Sequence, residues 1–448
     1  MADIRPFRAI RYNTEKVKLA DVLTQPYDKI TPAMQEKYYA ASPYNLIPVE
    51  KGKSFPADGP PDNVYTRAAK SVEEWLAQQV LVKDAQPGVY IYTQEFMVPG
   101  TQTKKTRQGF IALGRVEDYD AKVVFRHERT LSAPKADRIE LLRQTRLQTG
   151  QLFMLYHDRE RKIERWIDEA TRAKTPLEMT DEYSVVHRLW PVFDREAISS
   201  VQKEMENKKL VIADGHHRYE TALDLRNEAR EKSGRTDPEA ASEFAMMTFV
   251  NTHSAGLVIL PTHRLIPAAG GFNLKTFRGQ TAEYFDWKSF LFSNATERAK
   301  AYAEFQSGLR AGRDGSRTIG LYAGDGAFHL LTLHGDTNLA KVLPDVSEAQ
   351  RELDVVLLHR LVLEKGLGIT PDAVAAEKGV GYEREMDAAI AAVDRGEAQA
   401  AFLINPARIE QVMEIALGGD VLPQKSTDFY PKLMSGIANY RAEGKAEK

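Results

Sequence analysis

The sequence predicts an α+β (mixed α/β) fold built from two domains. Segments with helical spacing and short strand-like runs alternate along the chain, without the regularity of a doubly wound parallel sheet. Hydrophobic residues make up 43% of the 448 residues, which is enough for extensive cores. A chain of this length also exceeds one typical domain. We therefore expect two domains.

Composition excludes several classes of protein. The chain contains no cysteine, so disulfides, zinc–thiolate sites and thiol catalysis are ruled out. The formal net charge is −2, and basic residues do not cluster as they do in proteins that bind nucleic acid. No apolar run approaches the ~18 residues of a membrane span, and the first residues are too polar for a signal peptide. We expect a cytoplasmic protein without nucleic-acid or membrane partners.

The N-terminal part of the chain combines turns, helices and one hairpin. Proline and glycine punctuate residues 25–63, which favours turns and extended backbone around a short helix at 32–42. Apolar residues at helical spacing predict an amphipathic helix at 64–82. The β-rich segments 88–98 and 107–119 are joined by a polar loop, and together they predict a hairpin.

Strand and helix signals alternate from residue 121 to residue 266. A cluster of proline and glycine at 267–271 ends this series. We therefore place the domain boundary there, with an N-terminal catalytic region at 1–268 and a C-terminal α/β domain at 269–448. The predicted strands are 150–158, 187–194, 211–214 and two runs within 243–266.

One short stretch carries the strongest functional signal. "VIADGHHRYETAL", residues 211–223, is typical of a strand, an Asp-Gly turn and a helix that ends at Gly234. Glycine in such a turn lets the backbone approach a ligand, and the unpaired N–H groups and dipole at the helix start favour an anion. The pattern predicts a phosphate site. The alternative is an ordinary capped helix with surface histidines.

The residues of this turn have distinct expected roles. Arg218 offers a forked guanidinium suited to phosphate oxygens, and Gly215, His216 and His217 would hold the phosphates beside it. Asp214 either caps the helix or binds a metal ion that is held by the phosphates. We expect Asp214 and His217 to be catalytic and Asp214 to be the metal ligand.

Seven segments spread over nearly the whole chain form a recognisable set. They are "RPFRAIRYN", "PYDKI", "SPYN", "HERTLSAPKADR", "IADGHHRYETAL", "LPTHRL" and "PQKSTDFYPKL". Together they resemble a bacterial and archaeal family known as domain of unknown function 1015. The box "IADGHHRYETAL" is similar to the phosphate-binding box of the ParB/sulfiredoxin superfamily, which includes free-serine kinases, nucleotide-hydrolysing partition proteins and sulfiredoxins.

This resemblance implies a fold and an activity. The expected fold is a ParB/sulfiredoxin-like nucleotide-binding core with extra hairpins and a C-terminal α/β domain. The expected reaction is phosphoryl transfer from ATP or ADP, with Mg²⁺, to a small hydroxyl substrate, and L-serine is the first candidate. The resemblance therefore points to a free-serine-kinase-like phosphotransferase with an alcohol group as acceptor.

The segment "HERTLSAPKADR", residues 127–138, offers the groups that such a kinase needs. A kinase that acts on an alcohol needs a carboxylate near the hydroxyl and cations around the transferred phosphoryl group. We expect Glu128 to be the general base, and Lys135 and Arg138 to contact phosphate. The alternative is a solvated polar loop that runs into a helix.

Three further places carry candidate residues. Asp28 follows a proline turn and would bind the substrate amine, or else it closes an Asx turn. His263 and Arg264 lie at the end of a predicted strand, where substrate sites collect, although a strand-end salt bridge fits them equally well. Lys425 and Thr427 offer phosphate donors within "PQKSTDFYPK". A surface turn is the alternative for that segment.

The sequence thus predicts a nucleotide-dependent kinase of a free hydroxy amino acid. The expected partners are ATP or ADP, Mg²⁺ and the amino acid, and a homodimer is left open. Two other functions fit the same residues, a nucleotide-hydrolysing conformational switch and a non-catalytic ligand-binding regulator. We also expect the C-terminal turn at 422–433 to fold back onto the phosphate site.

Overall fold

The computed structural model describes residues 2–128, 132–234, 236–312, 317–376 and 378–446. It is a mixed α/β structure with a large mixed sheet, which confirms the fold class. Within these ranges no helix combines the length and the apolar character needed to span a bilayer. The chain forms two compact units: the first contains Met1–Arg126, Thr130–Val258 and Pro431–Lys448, and the second contains His127–Arg129 and Ile259–Tyr430.

The boundary between the units differs from the one that the sequence suggests. It follows Val258 rather than residue 268. The reason is that strand His263–Pro267 pairs with strand Ala398–Leu403 in the sheet of the second unit. The proline and glycine residues at 267–271 therefore end a strand of the second unit, and they do not separate the units.

Strands and helices are numbered here in chain order. The strands of the first unit are β1 (Ile4–Arg5), β2 (Ile10–Tyr12), β3 (Leu81–Lys83), β4 (Val89–Met97), β5 (Lys104–Arg115), β6 (Val124–Phe125), β7 (Leu147–Gln148), β8 (Leu152–Tyr156), β9 (Leu177–Thr180), β10 (Val186–Val192), β11 (Leu210–Asp214), β12 (Phe244–Asn251) and, near the C-terminus, β21 (Tyr440–Arg441). Its α-helices are α1 (Leu19–Val22), α2 (Pro32–Ala41), α3 (Ile47–Glu50), α4 (Val64–Ala77), α5 (Ser132–Thr145), α6 (Lys162–Thr171), α7 (Arg195–Met205) and α8 (His216–Ser233).

A large mixed sheet forms the centre of the first unit. Its strands lie in the order β6-β11-β8-β12-β5-β4-β10-β9, and β1 pairs with β5. The pairs β6–β11 and β8–β12 are parallel, whereas β4–β5 is antiparallel. The β4–β5 pair is the hairpin that the two β-rich runs predict, so that prediction is confirmed.

Helices α6, α7 and α8 share their buried apolar residues with this sheet. Ile167, Val201 and Leu223, one from each helix, join Phe110 and Phe249 in a single cluster. The two phenylalanine rings stack with their centroids 5.1 Å apart. Full burial of an apolar side chain of this size stabilises the fold by roughly 1.5–3 kcal/mol. This core fixes β11 and α8, and the candidate functional site lies where these two elements meet.

The predicted amphipathic helix α4 begins directly after an N-cap residue, Asn63. The Asn63 side chain accepts hydrogen bonds from the backbone N–H groups of Tyr65 and Thr66, and the Thr66 hydroxyl accepts one from the Asn63 N–H. This reciprocal capping box satisfies N–H groups that the first turn of a helix leaves unpaired. Val72 and Trp75 lie on the buried face of the helix.

The C-terminal segment completes the first unit. Strand β21 pairs antiparallel with β7. The backbones of Ile10 and Asn439 exchange two hydrogen bonds of 2.9 and 3.0 Å, and Gly436 donates its N–H to the Thr149 carbonyl at 2.9 Å. The chain therefore returns to the first unit after the second unit is complete.

The second unit has its own sheet, helices and core. Its sheet has the strand order Phe285–Leu291, Ala327–Leu333, Thr318–Tyr322, Ala398–Leu403, His263–Pro267 and Gly381–Glu383. Phe305, Phe328 and Leu403 lie in its core. The strands, with β13 at the boundary, are β13 (Val258–Leu260), β14 (His263–Pro267), β15 (Phe285–Leu291), β16 (Thr318–Tyr322), β17 (Ala327–Leu333), β18 (Gly381–Glu383), β19 (Ala398–Leu403) and β20 (Asp428–Tyr430). The helices are α9 (Leu274–Thr281), α10 (Ala295–Ala311), α11 (Leu339–Val342), α12 (Glu348–Arg351), α13 (Asp354–Leu357), α14 (Pro371–Ala375), α15 (Met386–Asp394) and α16 (Ile409–Leu417), with a π-helix at Leu358–Gly366.

We predict that replacing Gly109 by alanine destabilises the first unit. Gly109 lies in β5, and an added Cβ would stand 2.5 Å from the Phe249 carbonyl oxygen of the neighbouring strand. A sheet backbone cannot yield without breaking its ladder, so we expect a loss of about 1–3 kcal/mol, measured by urea unfolding. Gly59→Ala is the control, because a Cβ there meets no atom within 4 Å. Equal unfolding midpoints for the two variants would contradict this account.

Candidate functional site

The predicted phosphate box is a strand, a left-handed glycine and a helix. Strand β11 ends at Asp214, and α8 begins at His216. Gly215 between them has φ of 93° and is the N-cap of α8, without a side chain to bond the first turn. Asp214 is therefore not the N-cap, which corrects one of its two expected roles. The glycine N-cap leaves the start of the helix suited to an anion.

The Arg218 side chain folds back beneath this turn. Its Nη1 donates to the Gln151 carbonyl at 2.6 Å, and its Nη2 donates to Asp214 Oδ2 at 3.0 Å. An added Cβ at Gly150 would stand 2.9 Å from Nη1, and one at Gly215 would stand 3.1 Å from Nε. Both glycines therefore leave room for the guanidinium. Its Nε is buried and has no hydrogen-bond partner among the described residues.

A second cation reaches the same carboxylate from the C-terminal segment. Lys432 Nζ lies 3.2 Å from Asp214 Oδ1, and only 12% of the lysine side chain is exposed. Burial alone would raise the pKa of Asp214, but the charges on Lys432 and Arg218 outweigh it and hold the pKa below its ordinary value. Asp214 is therefore a carboxylate with one cation on each oxygen.

Asp28 belongs to the same group of charges. Although 40% of its side chain is exposed, its crowded surroundings raise its pKa by partial desolvation, and the negative charge on Asp214 raises it further. The positive charges on Lys432 and Arg218 lower the pKa, but to a smaller extent. Asp28 and Asp214 are thus two carboxyl groups whose pKa values shift in opposite directions.

The buried side chain of Glu50 joins three separate segments of the site. Its Oε1 accepts hydrogen bonds from the Tyr27 N–H at 3.1 Å and from the Ser435 hydroxyl at 3.0 Å. Its Oε2 accepts one from the Thr149 hydroxyl. Glu50 thereby ties the loop before Asp28 to the C-terminal segment. No local sequence signal points to this role, because Glu50 is a single acid at the end of a short apolar helix.

A small cavity, partly open to solvent, lies beside Arg218. Its polar lining includes Tyr27, Glu50, Arg138 and Arg218. The guanidinium of Arg138 lies 4.4 Å from the centroid of the Tyr27 ring and donates to the Glu50 carbonyl at 2.8 Å. The apolar lining residues are Leu141, Leu142, Leu147, Leu152, Ala222 and Ala245. The cavity can accept a ligand that is partly apolar and carries negative charge.

Several predicted site residues therefore come together in the first unit. They are Asp28, Arg138, Asp214, Gly215, His216, His217 and Arg218. His216 is buried and His217 is half-buried in the first turn of α8, so the histidines are not the surface residues of the alternative reading. Lys432 lies in the segment 422–433 that the sequence predicts to fold back onto the phosphate site, but it is not among the residues selected from the sequence, and its partner Asp214 is 218 residues away along the chain. The side chain of Lys135 lies outside the described part of the structure.

Other predicted site residues belong to the second unit. Glu128 Oε1 accepts a hydrogen bond from the Lys425 backbone N–H at 2.6 Å. The Lys425 ammonium lies 5.0 Å from the centroid of the Tyr382 ring. The Thr427 hydroxyl pairs with His127 Nε2 at 2.8 Å. These contacts give the three predicted residues local partners within the second unit.

His263 and Arg264 are interior residues of the second unit, not residues on an open strand end. His263 Nδ1 accepts the Ile404 N–H at 3.2 Å, and burial lowers its pKa to about 3. Arg264 donates to the carbonyls of Thr262 and Lys425, and burial lowers its pKa to about 10. Both side chains are almost fully buried. These contacts favour a packing role over substrate binding.

Asp214 is the candidate Mg²⁺ ligand of this site. Within the described ranges, no group of three or more acidic or histidine side chains is arranged to hold a metal ion. Magnesium is commonly held by one or two carboxylates together with the phosphates of a substrate. Asp214 meets that smaller requirement when a nucleotide supplies the remaining ligands and one of its two bound cations moves to the phosphates.

The chain belongs to a family of proteins of unknown function, DUF1015, whose profile matches residues 4–356. This match confirms the family that the seven segments indicate. No curated protein matches the chain.

Several solved structures resemble the chain at low identity. A free serine kinase variant in complex with AMP is 12% identical, with a TM-score of 0.36, covering 78% of this chain and 97% of that one. A conserved hypothetical protein from Pyrococcus furiosus is 13% identical, with a TM-score of 0.32, covering 68% and 87%. SbnI with a C-terminal truncation, from Staphylococcus aureus, is 10% identical, with a TM-score of 0.33, covering 72% and 85%. For the present chain we conclude membership of the family alone.

We predict that buried His263 makes the second unit less stable in acid. Because its folded pKa lies below the unfolded value, the unfolded chain binds the extra proton. Stability is therefore complete above about pH 6.5 and is lost as the pH falls towards 3. The slope is up to about 1.4 kcal/mol per pH unit. His263→Gln keeps an acceptor for the Ile404 N–H and removes the titration, so hydrogen exchange of the β14 amides should depend less on pH. Parallel pH profiles for the two proteins would refute this.

Proposed function

We propose that this protein is a nucleotide-dependent phosphotransferase that phosphorylates the hydroxyl of a free amino acid, with L-serine as the first candidate. One observation carries the proposal. Arg218 and Lys432 converge on Asp214 at a glycine-capped helix start, and Asp28 lies within their electrostatic field. Phosphoryl transfer requires positioned cations, backbone donors and a proton acceptor, and this group supplies all three.

The start of α8 supports the phosphate-binding part of the proposal. The helix dipole and the N–H groups of its first turn favour a negatively charged group there. Gly215 removes the side chain that would keep a phosphate away from this backbone. Arg218 adds a forked donor whose buried Nε has no hydrogen-bond partner in the described part of the chain. His216 and His217 stand in the same turn and would flank the bound phosphates.

Asp28 is our assignment for the general base. A base that accepts the hydroxyl proton works best when its pKa approaches the operating pH, and the pKa of Asp28 is raised. The carboxylate of Asp214 is less suited, because two cations hold its pKa down. We prefer Asp28 to Glu128 because Glu128 Oε1 already accepts the backbone N–H of Lys425.

Magnesium bound to the nucleotide would neutralise charge on the phosphates and polarise the transferred group. Asp214 would hold the ion. The residues of the chain orient the reaction: the helix start and Arg218 hold the phosphates, and Asp28 accepts the acceptor's proton. The similarity of the "IADGHHRYETAL" box to that of free-serine kinases supports an amino acid as the acceptor.

The proposal is tested by identifying the products. The full-length protein is incubated with ATP or ADP, Mg²⁺ and a mixture of free amino acids, and the small molecules are analysed by mass spectrometry. We expect a phosphorylated hydroxy amino acid, formed together with the dephosphorylated nucleotide. Nucleotide consumption without an acceptor would instead indicate a hydrolysing switch. Nucleotide binding without any consumption would indicate a regulator.

We predict that Asp28→Asn lowers turnover about 10²–10⁴-fold, the usual contribution of a positioned base. The amide keeps the size of the side chain, so nucleotide affinity should change little. Asp62→Asn is the control, because Asp62 is an exposed acid paired with Arg67 at the surface of the same unit. The kcat of each variant is measured with saturating nucleotide. If Glu128→Gln abolishes turnover while Asp28→Asn retains it, the base is Glu128.

We predict that Arg218→Ala weakens nucleotide binding by about 1.5–3 kcal/mol, the range for a hydrogen bond to a charged group. Isothermal titration measures the affinity, and circular dichroism checks that the variant is folded. Arg143→Ala is the control, since it removes a surface arginine that pairs with Glu228 in the same unit. Unchanged nucleotide affinity in a folded Arg218→Ala protein would exclude the phosphate role.

A further inference from the structure

We propose that Lys432 is a catalytic residue that contacts the transferred phosphoryl group, and that Arg107 and Gln94 are its positioning residues. This inference rests on the proposed function. In the reaction, the acceptor oxygen forms a bond to phosphorus while the bond from phosphorus to the nucleotide oxygen breaks. The hydroxyl proton passes to the Asp28 carboxylate. Lys432 stays protonated and stabilises the negative charge on the phosphoryl oxygens.

The position of Lys432 is the first observation. Its Nζ lies 3.2 Å from Asp214 Oδ1, while Arg218 occupies Oδ2 of the same carboxylate. Asp214 therefore holds the lysine directly at the end of β11, beside the start of α8. A lysine acts on phosphate as a compact point charge on a flexible stem, and it can exchange a carboxylate for a phosphoryl oxygen. Its electrostatic effect also reaches Asp28, whose pKa it lowers.

The fixation of the lysine backbone is the second observation. Gln94 Nε2 donates to the Lys432 carbonyl at 2.7 Å, and Arg107 Nη2 donates to the Pro431 carbonyl. Arg107 Nε donates to Gln94 Oε1 at 3.1 Å, which orients the amide. Both side chains are almost fully buried. Burying a guanidinium is costly unless it is well hydrogen-bonded. The hydrogen bonds of Arg107 hold Pro431, which precedes Lys432, and Gln94, which binds the Lys432 carbonyl.

The segment after Lys432 is held as firmly. The Tyr92 hydroxyl accepts the Met434 N–H at 3.3 Å, and Gln151 Nε2 donates to the Met434 carbonyl at 2.9 Å. The Ser435 hydroxyl donates to Glu50, the residue that also holds the backbone of Tyr27 next to Asp28. One buried network therefore fixes the backbone on both sides of Lys432 and the loop of the proposed base. A simple surface ion pair does not require the backbone on both sides of its lysine to be fixed by buried hydrogen bonds.

The test compares Lys432→Met and Lys432→Arg in the full-length protein. Loss of one positioned stabiliser of the transition state costs about 10²–10³-fold in kcat. We expect that loss for methionine, with nucleotide affinity within about threefold of the wild type, and partial recovery with arginine. Lys208→Met is the matched control, because Lys208 is also a partly buried lysine beside an aspartate of the first unit, Asp158, at 3.6 Å. Its kcat should equal that of the wild type.

The positioning role has a separate readout in a double-mutant cycle. Gln94→Met should lower kcat in the wild type and should have no further effect on kcat in Lys432→Met. A purely structural role for Gln94 would lower kcat equally in both backgrounds and would overturn this part. If Lys432→Met keeps kcat within threefold, the catalytic role of Lys432 is wrong while the proposed function stands. If the wild type forms no phosphorylated product, both the function and this inference fail.

Discussion

The site in the first unit depends on the Asp214 carboxylate, which holds Arg218 on one oxygen and Lys432 on the other. Taking these charges out of water is unfavourable, and their mutual attraction offsets the cost only while all three are present. Removal of Arg218 or Lys432 would leave one oxygen of the Asp214 carboxylate without its cation. Because Lys432 is 218 residues from Asp214, the site cannot form locally. It requires the complete first unit, including the C-terminal segment.

This arrangement also explains how two cations are held ready for an anionic ligand. In the described structure, the two Nη atoms of Arg218 are bound by the Gln151 carbonyl and Asp214, so the guanidinium is held in place without a phosphate. A bound phosphate would compete with Asp214 for cations that are already oriented. Catalysis benefits from such orientation, because donors that are fixed in advance need little reorganisation during the reaction.

The sequence allowed prediction of the local features of this site but, apart from the expected return of residues 422–433, not of the individual long-range contacts. The strand, turn and helix at 211–223 could be recognised because apolar spacing, Gly215 and the Asp-Gly pair act within a few residues. The partnership of Lys432 with Asp214 and the contacts of Glu50 join residues far apart in the chain, and no local spacing encodes them. The domain boundary was misplaced for a related reason, since strand pairing outweighs the turn signal at 267–271.

The order of the units along the chain gives the C-terminal segment its importance. The main segment of the second unit, Ile259–Tyr430, is inserted between β12 and the last segment of the first unit. A domain tolerates an insertion at an exposed loop when its own segments still complete its hydrophobic core. Here the closing segment carries Lys432 and the Ser435 contact to Glu50. The first unit therefore gains its second cation only when the chain has passed through the second unit, so a protein that ends before Pro431 would keep the phosphate box but lack Lys432.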